Sequence, residues 1–364
     1  MQHKARLRAL RSAMSRDNVE ALLVTHLPDV RYLCGFTGSN AVLAVTDRKA
    51  VLFTDGRYTT QAREETQSAR VVIAKKSALR EACSLLESFI SKKSRVAYDP
   101  EHTTVSDLGL MRSALAPSHR RSFFSPLKQP IVSELRMIKD ADELSRMADA
   151  ATLGNQLFHA IVPHIQAGVP ETEIAASLEF FARTMGAEGM SFETIVASGP
   201  RSALPHGRAT ARKTPRNGFV TLDFGVILKG YCSDMTRTVC IGKAGRPERS
   251  AYDAVLEAQQ AAVAAVRPGV TCGEVDEAAR SVLRKAGLAE YFTHSTGHGV
   301  GLEIHEPPRI AREQTQELKP GMVVTIEPGV YMPGKFGIRI EDMIAVTDKG
   351  AKVLTPVTKA LIEL

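Results

Sequence analysis

Two pairs of carboxylates lie in otherwise apolar, strand-like stretches of this 364-residue chain. Asp223 and Asp234 flank a turn in "GFVTLDFGVILKGYCSDMTRTVCIG". Glu327 and Glu341 flank another in "GMVVTIEPGVYMPGKFGIRIEDMIAV". The alternation of apolar residues predicts that each stretch forms a hairpin. A two-residue turn at 228–229 would place Asp223 directly opposite Asp234. Folding about the "PGK" turn would place Glu327 opposite Glu341.

Paired carboxylates of this kind indicate a cation. Like charges about 5 Å apart on neighbouring strands destabilise a sheet unless something neutralises them. Four carboxylates form a hard, oxygen-rich set, which favours Mn²⁺ and leaves Co²⁺ or Zn²⁺ as alternatives. Any one of these carboxylates is also compatible with a solvated strand edge, but the mirrored positions of all four favour a metal site.

The stretch "STGHGVGLEIHEPP" supplies two histidines, His298 and His305, with three glycines around the first. Each glycine weakens a helix by about 1 kcal/mol relative to alanine, which argues against a helical face. On a strand the odd spacing would send the two side chains to opposite faces. The glycines therefore predict backbone that bulges or lies close to another segment. His298 is the natural fifth ligand, and His305 is either another wall of the pocket or a structural histidine.

The elements that position these residues repeat. "AGVPETEIAASLEFFARTMG" from Ala167 parallels "PGVTCGEVDEAARSVLRKAG" from Pro268, an offset of 101 residues. Each copy has a Gly-Val turn, an amphipathic helix and a glycine stop, and each follows another helix and precedes strand-like sequence. The first of those preceding helices is predicted to open at Ser133 with a weak cap. Two such copies predict pseudo-twofold halves with a site at their seam, although similar amphipathic helices also align by chance.

The N-terminal part of the chain has a different pattern. Strand-like runs ("ALLVTH", "NAVLAVT", "AVLFTD", "RVVIAK") alternate with helical ones ("LREACSLLESFI", "SDLGLMRSALA"), which predicts a small α/β domain. The turn-rich "APSHRRSFFSPLKQP" predicts a linker. We therefore expect one domain over 1–128 and a second over 129–364.

Composition limits the class of protein. The chain is 44% hydrophobic and 24% charged, and no apolar run approaches the ~20 residues of a membrane span. Five cysteines without a C-x-x-C motif and no signal-peptide pattern favour the reducing cytoplasm, with no membrane partner. Residues 1–130 hold 21 Lys and Arg against 12 Asp and Glu, a charge of +9. Because acids are interspersed and aromatics are few, a solvated surface is favoured over nucleic-acid binding.

The order of the motifs resembles the M24 metallopeptidases, the pita-bread family, over roughly 135–364. The matching motifs are His206, "LDFG", "YCSDMTRT", "HSTGHGVGLEIHEPP", "TIEPGVY" and "GIRIED". The stretch "FTGSNAVLAVTDRKAVLFTDGRYTTQAREE" resembles the creatinase-type domain of Xaa-Pro-cleaving members, which methionine aminopeptidases lack. The implied fold class is α+β, a pita-bread catalytic domain of pseudo-twofold αβ repeats after a smaller creatinase-type α/β domain.

The resemblance also implies the site residues. Two divalent metal ions would be held by Asp223, Asp234, His298, Glu327 and Glu341, with Asp234 and Glu341 bridging them. The implied catalytic residues are His206, His294, His305, Glu327 and Arg339. Glu327 would move a proton from water to the leaving nitrogen, His206 and His305 would bind the oxyanion or the substrate termini, and Arg339 would orient carboxylates. Weaker matches are Tyr231 and Arg309, which either line the substrate site or only pack.

The activity implied is hydrolysis of the bond between an N-terminal residue and proline. The leading interpretation is an Xaa-Pro aminopeptidase, and the alternative is an Xaa-Pro dipeptidase (prolidase) that demands a free carboxylate after proline. A non-catalytic pita-bread module that binds peptides or proteins is the alternative of another class, disfavoured because all five ligands are present. The expected partners are a proline-containing peptide and a second copy of the chain in a homodimer.

Overall fold

The computed structural model describes residues 2–89 and 95–364. The chain divides into two compact units, Met1–Arg136 and Met137–Leu364. The division follows Arg136, whereas the linker motif suggested a boundary at 128. Among the described residues, no helix is long and apolar enough to cross a membrane.

The first unit is built on a six-stranded sheet. Its strand order is β4-β3-β2-β1-β5-β6, with β1 to β3 antiparallel and the outer pairings parallel. The four strand-like runs predicted from the sequence correspond to β1 to β4, and the two predicted helical runs overlap α4 and α5. Position 90, the last residue of the first helical run, lies outside the described residues. The elements are α1 (His3–Arg16), β1 (Ala21–Val24), α2 (Leu27–Cys34), β2 (Ala41–Thr46), β3 (Ala50–Thr54), α3 (Thr59–Glu65), β4 (Arg70–Ile73), α4 (Ala78–Phe89), β5 (Val96–Tyr98), α5 (Val105–Ser113), β6 (Phe124–Pro126) and α6 (Ile131–Met137).

The second unit combines four long helices with short antiparallel sheets. Two apolar clusters fill it, one under each half of the repeat. Its elements are α7 (Ala141–Ile161), α8 (Glu171–Thr184), β7 (Gly189–Met190), β8 (Ile195–Ser198), β9 (Gly218–Phe224), β10 (Val226–Leu228), β11 (Tyr231–Cys232), β12 (Met235–Ile241), α9 (Arg246–Ala265), α10 (Cys272–Lys285), β13 (Gly297–Gly299), β14 (Glu306–Ile310), β15 (Val323–Ile326), β16 (Gly329–Met332), β17 (Phe336–Arg339), β18 (Asp342–Thr347) and β19 (Gly350–Val353).

The predicted repeat is present in the structure. Helices α8 and α10 begin at Glu171 and Cys272 and end at Thr184 and Lys285, so both ends keep the 101-residue offset. Each packs against the helix before it, α7 or α9, and each is followed by antiparallel strands. The two halves therefore share one supersecondary plan.

The predicted helix from Ser133 is two helices. It breaks between α6 and α7, and α7 starts at a capping box that the sequence prediction missed. The Asp140 carboxylate accepts from the Glu143 amide at 2.9 Å, and the Glu143 carboxylate accepts from the Asp140 amide at 2.9 Å. A reciprocal cap of this kind satisfies two amide groups that a helix start leaves unpaired, so it sets the true beginning of the long helix.

The register predicted for the first hairpin is wrong by two residues. The turn is Lys229-Gly230, and both residues have positive φ (51° and 79°), the geometry that suits a tight hairpin. Asp223 consequently pairs with Thr236 rather than with Asp234. A shift of two residues leaves every side chain on its original face, because the period of a strand is two. The two aspartates thus share a face as diagonal neighbours.

The register predicted for the second hairpin is correct. Gly329 pairs with Arg339 in β16 and β17, and Ile326 pairs with Asp342 in β15 and β18. Glu327 and Glu341 lie between these two paired segments at mirrored positions.

Candidate metal centre and active site

A cavity of about 800 Å³ opens in the second unit, at the seam between the two halves of the repeat. Its lining includes the five predicted metal ligands, Asp223, Asp234, His298, Glu327 and Glu341. It also includes His206, His294, His305, Arg309 and Arg339. The fold therefore brings together residues that are up to 135 positions apart in the chain, as the spacing from His206 to Glu341 illustrates.

Three of the predicted ligands converge most closely. Asp234, His298 and Glu341 each offer a ligand atom, and these atoms lie within 4.8 Å of one another. Nε2 of His298 is 3.5 Å from a carboxylate oxygen of Asp234 and 3.5 Å from one of Glu327. These separations leave space between the atoms for a cation that each of them contacts.

The acidic groups of this cluster are buried and poorly compensated within the protein. One carboxylate oxygen of Asp223 and one of Glu341 are buried without a hydrogen-bond partner among the described residues. Leaving such a group unpaired costs about 1–3 kcal/mol, and more when it is charged. Burial, and then the neighbouring carboxylates, raise the pKa of Asp234 and of Glu341; burial raises the pKa of Glu327 to about 8. This donor set fits divalent cations, which would pair the orphan oxygens and keep the carboxylates ionised.

His298 is held in the form that a metal ligand requires. Its Nδ1 lies 3.0 Å from the Gly299 carbonyl, which can only accept, so Nδ1 carries the proton and Nε2 presents its lone pair to the carboxylates. Burial lowers the pKa of His298 to about 4, so the ring is neutral at pH 7. A neutral imidazole fixed through its second nitrogen is the usual state of a histidine ligand.

Neighbouring backbone leaves no room for a Cβ atom beside His298, which explains the glycines on either side of it, as the sequence predicted. A Cβ on Gly297 would lie 1.9 Å from the Thr325 carbonyl oxygen, and one on Gly299 would lie 2.2 Å from that of Pro307. The register also shifts between His298 and Gly299, which makes a β-bulge. Both features let a short strand carry the imidazole into the carboxylate cluster.

Arg339 is buried and orients the cluster. One terminal nitrogen donates to a carboxylate oxygen of Asp223 at 2.5 Å, and Nε donates to the Thr236 hydroxyl at 3.0 Å. The other terminal nitrogen donates to the Tyr331 hydroxyl at 2.7 Å and to the Pro205 carbonyl at 2.9 Å. With these bonds the guanidinium fixes the carboxylate of Asp223 and offsets part of the negative charge, so its role is positioning.

His294 lines the cavity, yet both of its ring nitrogens form hydrogen bonds with other groups of the protein. The Tyr331 hydroxyl accepts from Arg339, so its own proton goes to His294 Nε2, 2.8 Å away. His294 Nδ1 then donates to the Ser295 carbonyl at 2.7 Å. Burial, and next the charge of Arg339, lower the pKa of His294 to about 4. In this arrangement His294 is a neutral link in a chain of hydrogen bonds.

The remaining predicted side chains form the open walls. His206, His305 and Arg309 are exposed residues of the lining. The ring of His305 stands edge-on to that of His298, with centroids 4.4 Å apart. Burial, and then His206, lower the pKa of His305, which places these two histidines near each other. They are therefore available to a ligand in the cavity.

Tyr231 is not among the residues that line the cavity, which favours the packing alternative, and its role in substrate binding stays a prediction. It is 1% exposed, and its hydroxyl donates to the Glu143 carboxylate at 2.9 Å. Tyr231 lies in β11 just past the turn, where its side chain is buried.

Three residues that the sequence prediction missed support the ligands. The Thr236 hydroxyl donates to Glu341 at 2.7 Å, the Thr325 hydroxyl accepts from the His298 amide at 3.0 Å, and Tyr331 connects Arg339 to His294. Thr236 could have been found from the strand period, because it follows Asp234 by two residues. No comparable sequence pattern indicated that Tyr331 or Thr325 would contact residues of the site.

Comparison with known proteins identifies the family of this chain. A family model described as Metallopeptidase family M24 matches residues 145–348, and one described as Creatinase/Prolidase N-terminal domain matches residues 6–138. The chain is 36% identical to the Bacillus subtilis peptidase YqhT over 99% of this chain and 100% of that protein. The chain belongs to metallopeptidase family M24, and the family implies divalent metal ions, for which Asp234, His298 and Glu341 form a candidate site.

Solved structures match over the full length. A Bacillus anthracis structure named as an Xaa-Pro dipeptidase has a TM-score of 0.94 at 38% identity and covers 100% of both chains. A Thermotoga maritima structure named as an X-Pro aminopeptidase has a TM-score of 0.87 at 35% identity and covers 97% of this chain and 100% of that one. The predicted fold, a pita-bread domain after a creatinase-type domain, is thus confirmed.

Proposed function

We propose that this protein is an Xaa-Pro dipeptidase that uses two divalent metal ions, with Mn²⁺ as the working metal. The observation that carries the proposal is the buried cluster of four carboxylates around His298, with orphan oxygens on Asp223 and Glu341. One cation would leave part of this charge unbalanced, since four carboxylates face one neutral imidazole and one arginine. With Arg339 counted the excess charge is −3, which one divalent ion would leave at −1 and which two divalent ions together with one hydroxide would neutralise.

The metal ions would be held by the five ligands already named. When bound, such ions act as Lewis acids toward a carbonyl oxygen and lower the pKa of water towards neutrality. Glu327 is the carboxylate that we expect to exchange a proton, because it lines the cavity with one oxygen 3.5 Å from His298 Nε2. It would accept a proton from water and deliver it to the proline nitrogen that leaves.

The exposed histidines and arginines of the cavity walls bind and orient the substrate. His206 and His305 line the cavity and would donate to the carbonyl oxygen of the bond being cleaved, a contact worth about 3–4 kcal/mol when well aimed. Arg309 is exposed on the wall and forms no ion pair with any other residue in the described ranges. A guanidinium in that position suits the free carboxylate of a dipeptide.

The dipeptidase therefore replaces the aminopeptidase as the first candidate. The sequence alone favoured the aminopeptidase on short N-terminal motifs, whereas Arg309 and the resemblance to the Bacillus anthracis dipeptidase support a requirement for a carboxylate next to proline. The aminopeptidase stays the second candidate, supported by the Thermotoga maritima structure. Homodimer formation and a cytoplasmic location stay predictions.

The test compares hydrolysis of Ala-Pro, Ala-Pro-NH₂ and Ala-Pro-Ala in the presence of Mn²⁺. We expect Ala-Pro to be cleaved with the highest kcat/KM, and we expect Arg309→Met to reduce that value about 10- to 100-fold, mostly through KM. Efficient cleavage of Ala-Pro-Ala, with no effect of Arg309→Met, would support the aminopeptidase instead. No cleavage of any of the three with Mn²⁺ bound would overturn both candidates.

A further inference from the structure

The carboxylate of Glu171, at the start of α8, accepts hydrogen bonds from both ends of the segment 198–210. Glu171 is 0% exposed. One of its oxygens accepts from the Ser198 amide and hydroxyl, both at 2.8 Å. The other accepts from the Thr210 amide at 3.1 Å and the Thr210 hydroxyl at 2.8 Å. Four donors thus converge on a single acceptor-only group.

The segment between these contacts contributes to one wall of the cavity. Within residues 198–210, the residues that line the cavity are Pro205, His206 and Arg208. This segment contains none of the five predicted metal ligands. Arg201 adds to the same clamp, because it lies 3.5 Å from Glu171 and donates to the Arg208 carbonyl at 2.7 Å.

The second half of the repeat contains a matching carboxylate. Asp276, on α10, is 1% exposed and accepts from the Thr296 amide at 3.2 Å and the Thr296 hydroxyl at 2.7 Å. It also pairs with Arg280 at 2.6 Å, and Arg280 donates to the carbonyls of Phe292 and His294. Asp276 therefore fixes the segment 292–296 as Glu171 fixes 198–210.

This second segment leads directly into the metal cluster. The Thr296 carbonyl accepts from the Glu327 amide at 2.8 Å, and His298 follows two residues later. Asp276 is thus linked through Thr296 to the backbone of Glu327, and Thr296 itself lies two residues before His298.

The two carboxylates occupy comparable places in the repeat. With the 101-residue offset, Asp276 corresponds to Ala175, one helical turn beyond Glu171 and on the same helix face. In both helices the first two amides donate to carbonyls of a following loop. The donor–acceptor pairs are Glu171 to Arg212 and Thr172 to Thr210 in α8, and Cys272 to Gln316 and Gly273 to Gln314 in α10.

We propose that Glu171 and Asp276 are a pair of positioning residues with separate tasks. Glu171 holds the substrate wall that carries His206, and Asp276 holds the wall that carries His298 and Glu327. This inference rests on the proposed function for its kinetic consequence. Its structural consequence, the rigidity of each wall, does not depend on what the enzyme cleaves.

The experiment compares Glu171→Gln with Asp276→Asn in the full chain. An amide has two acceptor sites fewer than a carboxylate and turns N–H groups towards donors, so each variant loosens its own segment. For Glu171→Gln we expect kcat/KM for Ala-Pro to fall about 10- to 100-fold. Its Mn²⁺ affinity, measured by calorimetry with the metal alone, should fall much less than in Asp276→Asn, since the segment contains no predicted ligand and reaches the ligands indirectly, through the bond from Arg339 to the Pro205 carbonyl. For Asp276→Asn we expect Mn²⁺ affinity itself to fall about 10- to 100-fold.

Hydrogen exchange of backbone amides gives a readout that is independent of catalysis. Exchange should rise within 198–210 in Glu171→Gln and within 292–298 in Asp276→Asn, with the other segment unchanged. Because a buried substitution can prevent folding, Thr210→Ala is a milder variant that removes one hydroxyl donor, and Thr172→Ala on exposed α8 surface is its matched control. Thr210→Ala should raise exchange in 198–210, and Thr172→Ala should not.

Equal loss of metal affinity in both variants, or exchange that rises throughout the chain, would overturn the division of tasks. Unchanged exchange in 198–210 for both Glu171→Gln and Thr210→Ala would overturn the clamp. If the wild type cleaves no Xaa-Pro peptide, the proposed function fails, while exchange and metal affinity still decide this inference.

Discussion

At the scale of single residues, the site is a set of acids that the protein alone does not neutralise. Arg339 is the one cation within hydrogen-bonding distance of the ligand carboxylates among the described residues, and it reaches only Asp223 directly. His298 is kept neutral, so it adds no charge. The cluster therefore carries an excess of negative charge, which bound divalent metal ions would balance.

Arg339 should be needed for metal binding. Replacing it with methionine removes the donor to Asp223 and leaves the buried carboxylates more strongly repelled. We expect Arg339→Met to weaken Mn²⁺ binding about 10- to 100-fold. Calorimetry with Mn²⁺ measures this, and Arg309→Met, which alters an exposed arginine of the same cavity, is the control that should bind Mn²⁺ normally. Equal Mn²⁺ affinity in Arg339→Met and wild type would contradict the positioning role.

The metal-free protein should lose stability as pH rises towards 8. The pKa of Glu327 is raised from 4.5 to about 8, so between these values the folded state binds a proton that the unfolded state releases. Folding stability contributed by such a group falls as pH rises through this window. Histidines with lowered pKa have the opposite effect, which fades above pH 6.5, so a variant without the Glu327 carboxyl is needed to isolate its contribution.

Thermal unfolding after chelation tests this pH dependence. We expect a lower Tm at pH 8 than at pH 6.5 in the wild type and a smaller difference in Glu327→Gln, whose amide does not titrate. A Tm that rises over this interval in the wild type would contradict the description of the cluster.

At the scale of elements, the bulged strand β13 places the imidazole of His298 beside the carboxylate cluster. Gly297→Ala would place a Cβ 1.9 Å from the Thr325 carbonyl oxygen, so the strand has to move. Because the displaced backbone is adjacent to His298, we expect the variant to lose Mn²⁺ affinity and to unfold at a lower temperature. Gly109→Ala in helix α5 is the control: nothing lies within 4 Å of its Cβ, and it should stabilise by about 0.5–1 kcal/mol. Wild-type metal affinity in Gly297→Ala would contradict the requirement for glycine.

The elements also mark where sequence reasoning succeeds and fails. The strand period alone fixed which face each carboxylate occupies, so Asp223 and Asp234 were placed on one face although their register was wrong. The exact partner depends on the turn, and a positive φ at Lys229 is not visible in the sequence. The sequence left two alternatives open for Tyr231 for a related reason: the depth of a residue beside a ligand motif is set only when the hairpin packs against α7.

At the scale of the whole molecule, the repeat explains why the site could be predicted before its geometry. The two copies of the helix–helix–strand repeat bring their strands to a common seam. The 101-residue offset between the two copies could be recognised in the sequence. Thr236 could be placed on the face of Asp234 from the strand period, but its bond to Glu341, 105 residues away, could not be predicted. The contacts of Thr325 and Tyr331 join segments 27 and 37 residues apart or form within one hairpin, and only the packed fold brings these side chains together. The same limit applies to Glu171 and Asp276.

Metal binding should stabilise the whole molecule. The ligands come from both halves of the repeat, so bound ions link the halves in the folded state only. At Mn²⁺ concentrations about 100 times Kd, the expected gain is about 2.7 kcal/mol per site. Calorimetric unfolding with and without Mn²⁺ measures this gain, and Mg²⁺ at the same concentration serves as the control for a general ionic effect. An unchanged Tm with Mn²⁺ would contradict a metal centre at the seam.

The most direct test of the account is turnover of Ala-Pro by wild type and by Asp234→Asn, each with Mn²⁺ and after chelation, with the bound metal counted in the same samples. The account predicts cleavage by the Mn²⁺-loaded wild type with two ions per chain, loss of cleavage on chelation, and loss of both metal and turnover in Asp234→Asn. Near-normal turnover by Asp234→Asn with two ions bound, or undiminished turnover by the chelated wild type, would contradict it.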